Sequence, residues 1–100
     1  MKKIILFCAN GFTTIMMREK IKEAAAKEGL EYTVEAYPYS ECMKQGINAD
    51  VILLAPQIRY NRKTVEKQFP DKKLVVLDMT QYGAMDGVAI LKAVKEILGD

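Results

Sequence analysis

One hundred residues with 15 basic and 13 acidic side chains carry a formal charge of only +2; half are hydrophobic and none is histidine. That length suits one domain, residues 1–100, with a core of its own, and the mixture of apolar and charged residues excludes a disordered or low-complexity chain. The near balance of charge, with no arginine-rich stripe interleaved with aromatics, argues against nucleic acid as a partner.

Met1-Lys2-Lys3 followed by only about five apolar residues is too short for a secretory signal and far too short to span a bilayer. The expectation is a cytoplasmic protein whose first strand, Ile4 to Cys8, begins almost at once. A loop from Cys8 to Thr14 follows. The segment from Thr14 to Glu28 then puts Met17, Ile21, Ala24 and Ala25 on one face at helical spacing, with Gly29 as its stop. A second strand, Glu31 to Tyr37, alternates Tyr32, Val34 and Ala36 with Thr33 and Glu35 and suits an edge. Pro38 ends it, and Ser40 to Gln45 reads as a short helix closed by Gly46. Val51-Ile52-Leu53-Leu54 is an unbroken apolar strand for the middle of a sheet. After Pro56 a polar, basic helix is expected from Arg59 to Phe69, stopped by Pro70. Leu74 to Leu77 makes a fourth buried strand, and a last helix from Val88 to Leu98 buries Ile90, Leu91, Val94, Ile97 and Leu98.

Strands alternating with helices predict an α/β fold: a parallel sheet covered on both faces by right-handed crossovers. The expected architecture is a small flavodoxin-like three-layer sandwich with strand order 2-1-3-4, which places the half-polar second strand at an edge. Ligands of such sheets sit beyond the carboxyl ends of the strands. There the loops Cys8–Thr14, Pro56–Tyr60 and Asp78–Gly87 would meet.

Cys8 stands where a buried strand feeds a helix N-terminus, a place that gathers unpaired amides and the positive end of a helix dipole. Both stabilise a thiolate and any phosphoryl group on it. With no histidine in the chain, such a nucleophile must rely on its loop, a nearby cation or a partner. The loop is neither a P-loop, which needs a lysine after its glycines, nor a G-x-G-x-x-G fingerprint. It comes nearer the C-x5-R loop of tyrosine phosphatases, but Thr14 holds the arginine position and Arg18 falls a full turn too late. Cys8 and Cys42 lack the spacing of a redox or zinc motif, so no metal is expected, and Cys42 reads as a packed hydrophobe. A cysteine at a strand end is itself often only a small core residue, Asn10-Gly11 only a turn, and Thr13 or Thr14 only a cap. Arg59, Arg62, Lys63 and Lys67 read as a solvated face, the first two close enough to the site to meet an acidic partner.

The run Cys8-Ala9-Asn10-Gly11-Phe12-Thr13-Thr14-Ile15-Met16-Met17 resembles the phosphocysteine loop of the IIB proteins of the bacterial sugar phosphotransferase system, lactose/cellobiose type. Asn48 to Tyr60 resembles that family's third strand and following loop, and Tyr82 to Gly87 its segment before the last helix. The resemblance implies a phosphotransferase that works as a monomer, without a cofactor and without inserting into the membrane. On it Cys8 takes a phosphoryl group from a phosphohistidine of a IIA protein and passes it to a sugar held by the membrane protein IIC. The sugar would be of the cellobiose, chitobiose or lactose kind. The phosphate-binding loop would be Ala9, Asn10, Gly11, Phe12, Thr13, Thr14 and Ile15. Gln57, Arg59, Tyr60 and Asp86 would support the loop or meet partners, or only cap and pack turns. Many relatives carry serine at the positions of Ala9 and Ile15, so two hydroxyls are missing here and the phosphocysteine would be less well held. A small cysteine phosphatase and a module that senses phosphorylation without passing it on remain as alternatives.

Overall fold

The computed structural model describes residues 2–9 and 11–100. Four parallel strands lie in the order β2-β1-β3-β4. β1, Lys2–Cys8, runs between β2 and β3, and its five residues from Ile4 to Cys8 are all buried. A strand covered on both faces cannot alternate, which is why its sequence is an unbroken apolar run. β3, Val51–Leu54, is buried at every position for the same reason. Asp50 fixes the entry of this pair: its amide donates to the Lys3 carbonyl at 2.8 Å, and its carboxylate accepts from the Lys3 amide at 2.7 Å. Slippage by one residue would break both bonds and leave the two backbones out of register.

β2, Tyr32–Pro38, is an edge strand on which only Val34 is buried, as its alternation requires. β4, Lys73–Val76, is the opposite edge, and here the expectation of a fully buried strand needs correction. Leu74, Val75 and Val76 are half-buried, and it is Leu77, one residue past the strand, that is enclosed. The reason is its place at the edge, paired on one side only; the preceding helix, α3 (Arg62–Gln68), is two turns long and buries one side chain, Val65.

α1, Gly11–Lys27, buries the stripe Met17, Ile21, Ala24 and Ala25. It ends where Gly29 adopts φ +70°, with the Leu30 amide donating to the Ala25 carbonyl at 3.0 Å and the Gly29 amide to Ala26 at 3.1 Å. That pattern is a left-handed helix stop, and Leu30 packs back over Ala24, Ala25 and Leu91 to seal it. The helix starts three residues before Thr14, because nothing in Gly11-Phe12-Thr13 forbids helical dihedrals once the strand has ended.

Two glycines set how the helices meet. α5, Gly87–Leu98, approaches α1 so closely that a Cβ on Gly87 would lie 2.5 Å from the Lys20 carbonyl oxygen. On the other face, a Cβ on Gly46 would lie 2.7 Å from the ring of Phe69. The short helix expected at Ser40–Gln45 is broken into a 3-10 turn at Tyr39–Glu41, α2 at Cys42–Gln45 and a second 3-10 turn at Gly46–Asn48. The stretch Asp78–Gly87, expected as a loop, contains a helix α4 at Met79–Gly83. Asp78 caps it, accepting from the amides of Thr80 at 2.7 Å and Gln81 at 3.3 Å.

Candidate functional site

Register brings the strand ends level with one another. Cys8 stands opposite Pro38, the Ala55 amide donates to the Phe7 carbonyl at 2.9 Å, and the Leu77 amide to the Leu54 carbonyl at 2.8 Å. Cys8 is therefore the last rung of the central strand, 3% exposed, with Ala9 turning out to the surface beyond it. Pro38 has no N–H, so β2 donates nothing further to β1 at this level and the chain leaves in the 3-10 turn at Tyr39.

Three residues after Cys8, α1 begins. Gly11, Phe12, Thr13 and Thr14 are thus the first turn of a 17-residue helix rather than members of a free loop. Such a turn leaves amides without helical partners, with the dipole of the helix behind them, an arrangement that favours an anion. Asn10 and the side chains of Phe12, Thr13 and Thr14 lie outside the described residues. Ile15 belongs to the next turn, where the helical pattern already commits its amide to the Gly11 carbonyl. Its side chain is 49% exposed and forms part of the outer rim.

The stretch after β3 is also rebuilt. A helix expected from Arg59 is instead a 3-10 segment, Pro56–Asn61, kinked at Ile58 (φ −114°, ψ 24°), followed by α3. The side chain of Arg59 closes this segment on itself: Nη1 donates to the Pro56 carbonyl at 3.1 Å and Nη2 to the Tyr60 hydroxyl at 2.8 Å. The guanidinium carbon also lies 4.5 Å from the centre of the Tyr60 ring. Gln57 and Tyr60 are exposed, while Pro56 and Ile58 are buried and seat the segment on the end of the sheet.

Asp86 caps α5, accepting from the Ala89 amide at 3.0 Å, and neighbouring Gly87 packs on α1 at Lys20. Lys20 lies nine residues into α1, about 14 Å along its axis from the turn beside Cys8. Arg18 is held by its neighbour, with Nε 3.0 Å from the Glu19 carboxylate. Cys42 is wholly enclosed at the start of α2, where burial pushes its thiol up to about 11. Among the described residues, no group of histidine, cysteine and acidic side chains could hold a metal ion, and no helix is long and apolar enough to cross a membrane.

Sequence reasoning missed the Asp78 cap and the closure of the 56–61 segment by Arg59. Asp78-Met79-Thr80 carries a visible cap signal, whereas a guanidinium reaching back three residues has none.

The model of the lactose/cellobiose-specific IIB subunit of the PTS matches residues 3–93. The chain is 32% identical over 89 residues to the oligo-beta-mannoside-specific EIIB component of Bacillus subtilis, covering 87% of this chain and 86% of that one. It is 31% identical over 104 aligned positions to the galactose-specific EIIB component of Lactococcus lactis, covering 97% and 96%. In fold it is similar to the lactose-specific IIB domain of Streptococcus pneumoniae, with a TM-score of 0.86, 20% identity and 95% of each chain covered. With the sheet order, the thiol at the end of β1 and the match across nearly the whole chain, the protein belongs to the lactose/cellobiose-specific IIB subunits of the bacterial sugar phosphotransferase system.

Proposed function

We propose that Cys8 is the phosphoryl acceptor and that residues 1–100 act as one IIB domain in the uptake of a sugar of the lactose/cellobiose type. The observation that carries this reading is the thiol seated at the end of the central strand, three residues ahead of the first turn of α1. IIB subunits work with IIA and IIC partners in the same transport system, and the chemistry suits that relay. The Cys8 thiolate attacks the phosphorus of a phosphohistidine on IIA; the S–P bond forms as the N–P bond breaks, and the imidazole nitrogen recovers its electron pair. A sugar hydroxyl held by IIC then attacks the same phosphorus, gives up its proton, and returns Cys8 as thiolate.

The N–P bond is already activated, so the transfer asks mainly for alignment and for donors around the phosphoryl oxygens. The amides of the first helical turn supply donors without supplying a base. That suits a carrier: a general base beside the site would activate water and discharge the thiophosphate, and this chain has no histidine to serve as one. The enclosed position of Cys8 further limits the approach of water.

The reading is tested by phosphorylating the protein with labelled IIA, removing IIA, and adding membranes that contain IIC. The label is expected to leave the protein quickly only when membranes and a transportable sugar are both present, and to appear as sugar phosphate. Release of inorganic phosphate at the same rate without sugar, or turnover of aryl phosphates, would instead mark a phosphatase.

A further inference from the structure

Tyr60 is 78% exposed, the most open of the large hydrophobic side chains among the described residues, yet it is not free to swing. The Arg59 guanidinium holds its hydroxyl at 2.8 Å, lies 4.5 Å from its ring centre, and is itself tied to the Pro56 carbonyl at 3.1 Å. An aromatic ring with a fixed direction loses little conformational freedom when a partner covers it. Tyrosine and arginine are also the side chains over-represented where binding energy concentrates.

Position and charge say what the ring would meet. Pro56 follows Ala55, whose amide is bonded to the carbonyl of Phe7 beside Cys8, and Tyr60 lies four residues on in the same kinked 3-10 segment. Ile15 and Met16, 49% and 42% exposed, stand near the start of α1, the helix that begins at the same end of the sheet. Arg59, Arg62 and Lys63 fall together with no acidic residue until Glu66, which pairs with Arg62 at 3.3 Å. An apolar rim flanked by cations fits a protein with an apolar surface and an acidic border that itself arrives carrying a phosphoryl dianion. The protein that holds the sugar brings no phosphoryl group, so the cations favour the donor.

We propose that Tyr60, fixed by Arg59, is the anchor by which this chain grips its phosphorylated donor protein. The proposal rests on the carrier function argued above and adds which residue recognises the donor. Tyr60 touches neither the thiol nor the phosphoryl group, so its loss acts on encounter and retention of the donor, with the chemical step spared.

Transfer from phosphorylated IIA to Cys8 is followed by intact mass against time at varied donor concentration, for wild type, Tyr60→Ala, Tyr60→Phe and Arg59→Lys. Tyr60→Ala is expected to raise the half-saturating donor concentration about tenfold and to leave the saturating rate within about twofold. Tyr60→Phe keeps the ring and its cation and stays within about threefold of wild type, while Arg59→Lys, without the fork, falls between the two. Unchanged melting curves for these surface variants establish that the fold is intact. A wild-type half-saturating concentration for Tyr60→Ala overturns the anchor, as does a loss confined to the saturating rate or to delivery to sugar. A wild type that takes no phosphoryl group from any donor instead overturns the carrier function, and the anchor with it.

Discussion

Cys8 and Cys42 are both buried, yet their surroundings differ. Cys42 sits fully enclosed at the start of α2, where burial alone pushes its thiol up and keeps it protonated. Cys8 ends the central strand, three residues before a long helix. Position along the chain already separates the two, and the placement of Cys8 at the strand end is readable from sequence. The next neighbours are less so. The family resemblance makes the missing hydroxyls at Ala9 and Ile15 look equivalent, but Ala9 adjoins the thiol while Ile15 lies in the second helical turn with its side chain outward. Restoring a hydroxyl should therefore matter at one position only. Ala9→Ser is expected to lengthen the hydrolytic half-life of the phosphoprotein roughly two- to tenfold, the worth of one added hydrogen bond, and Ile15→Ser to leave it unchanged. Half-lives from the decay of the phosphorylated mass decide it; equal effects of the two substitutions would contradict the assignment of Ile15 to the rim.

Among the elements, β1 and β3 are legible because strands buried on both faces must be apolar throughout, and α1 because its stripe repeats at helical spacing. What the chain hides is set by contacts between distant residues. α3 starts at Arg62 because Pro56–Asn61 is held as a 3-10 segment by the reach of Arg59, and α4 is lost to inspection because five residues are too few to show a period. Of the two roles open to Asp86 from sequence, support of the loop or partners and capping of a turn, the structure shows the cap, at the start of α5 where Gly87 docks on α1. Two expectations follow. Gly87→Ala drives a methyl group into the Lys20 backbone, which no side-chain rotation relieves, and should destabilise the protein by about 2–3 kcal/mol, visible as a lowered Tm. Asp86→Ala removes only a cap and should cost about 1 kcal/mol in denaturant unfolding while leaving phosphoryl transfer intact. A large loss of transfer with stability preserved would show a role for Asp86 beyond the cap.

In the molecule as a whole, the C-terminal segment is tied to the edge strand β2 and to the end of α1. The Tyr32 hydroxyl of β2 donates to Asp100, and Lys95 of α5 pairs with Glu28 beyond the end of α1. Burial first, then the bond to the Asp100 carboxylate, pushes the Tyr32 phenol up to about 12. Groups that hold their protons more tightly when folded contribute stability that is complete below their unfolded values and is lost as pH rises through their folded ones. For Cys42 that window runs from about 9 to about 11, and for Tyr32 from about 10 to about 12. Stability should therefore fall steeply above pH 9, and Cys42→Ala should flatten the early part of that fall, whatever it costs in packing at neutral pH. Denaturant midpoints of both proteins between pH 8 and 11 measure the difference, and parallel curves would contradict the burial argument. The parallel order β2-β1-β3-β4 is what brings the end of a buried strand, a helix start and the 3-10 segment after β3 to the same end of the sheet. Whether that surface carries phosphate is decided most directly by incubating wild type and Cys8→Ser with phosphorylated IIA and weighing both intact. One labile phosphoryl group on wild type and none on Cys8→Ser is the predicted result. Equal labelling of both, or of neither while the donor remains competent, would contradict the account.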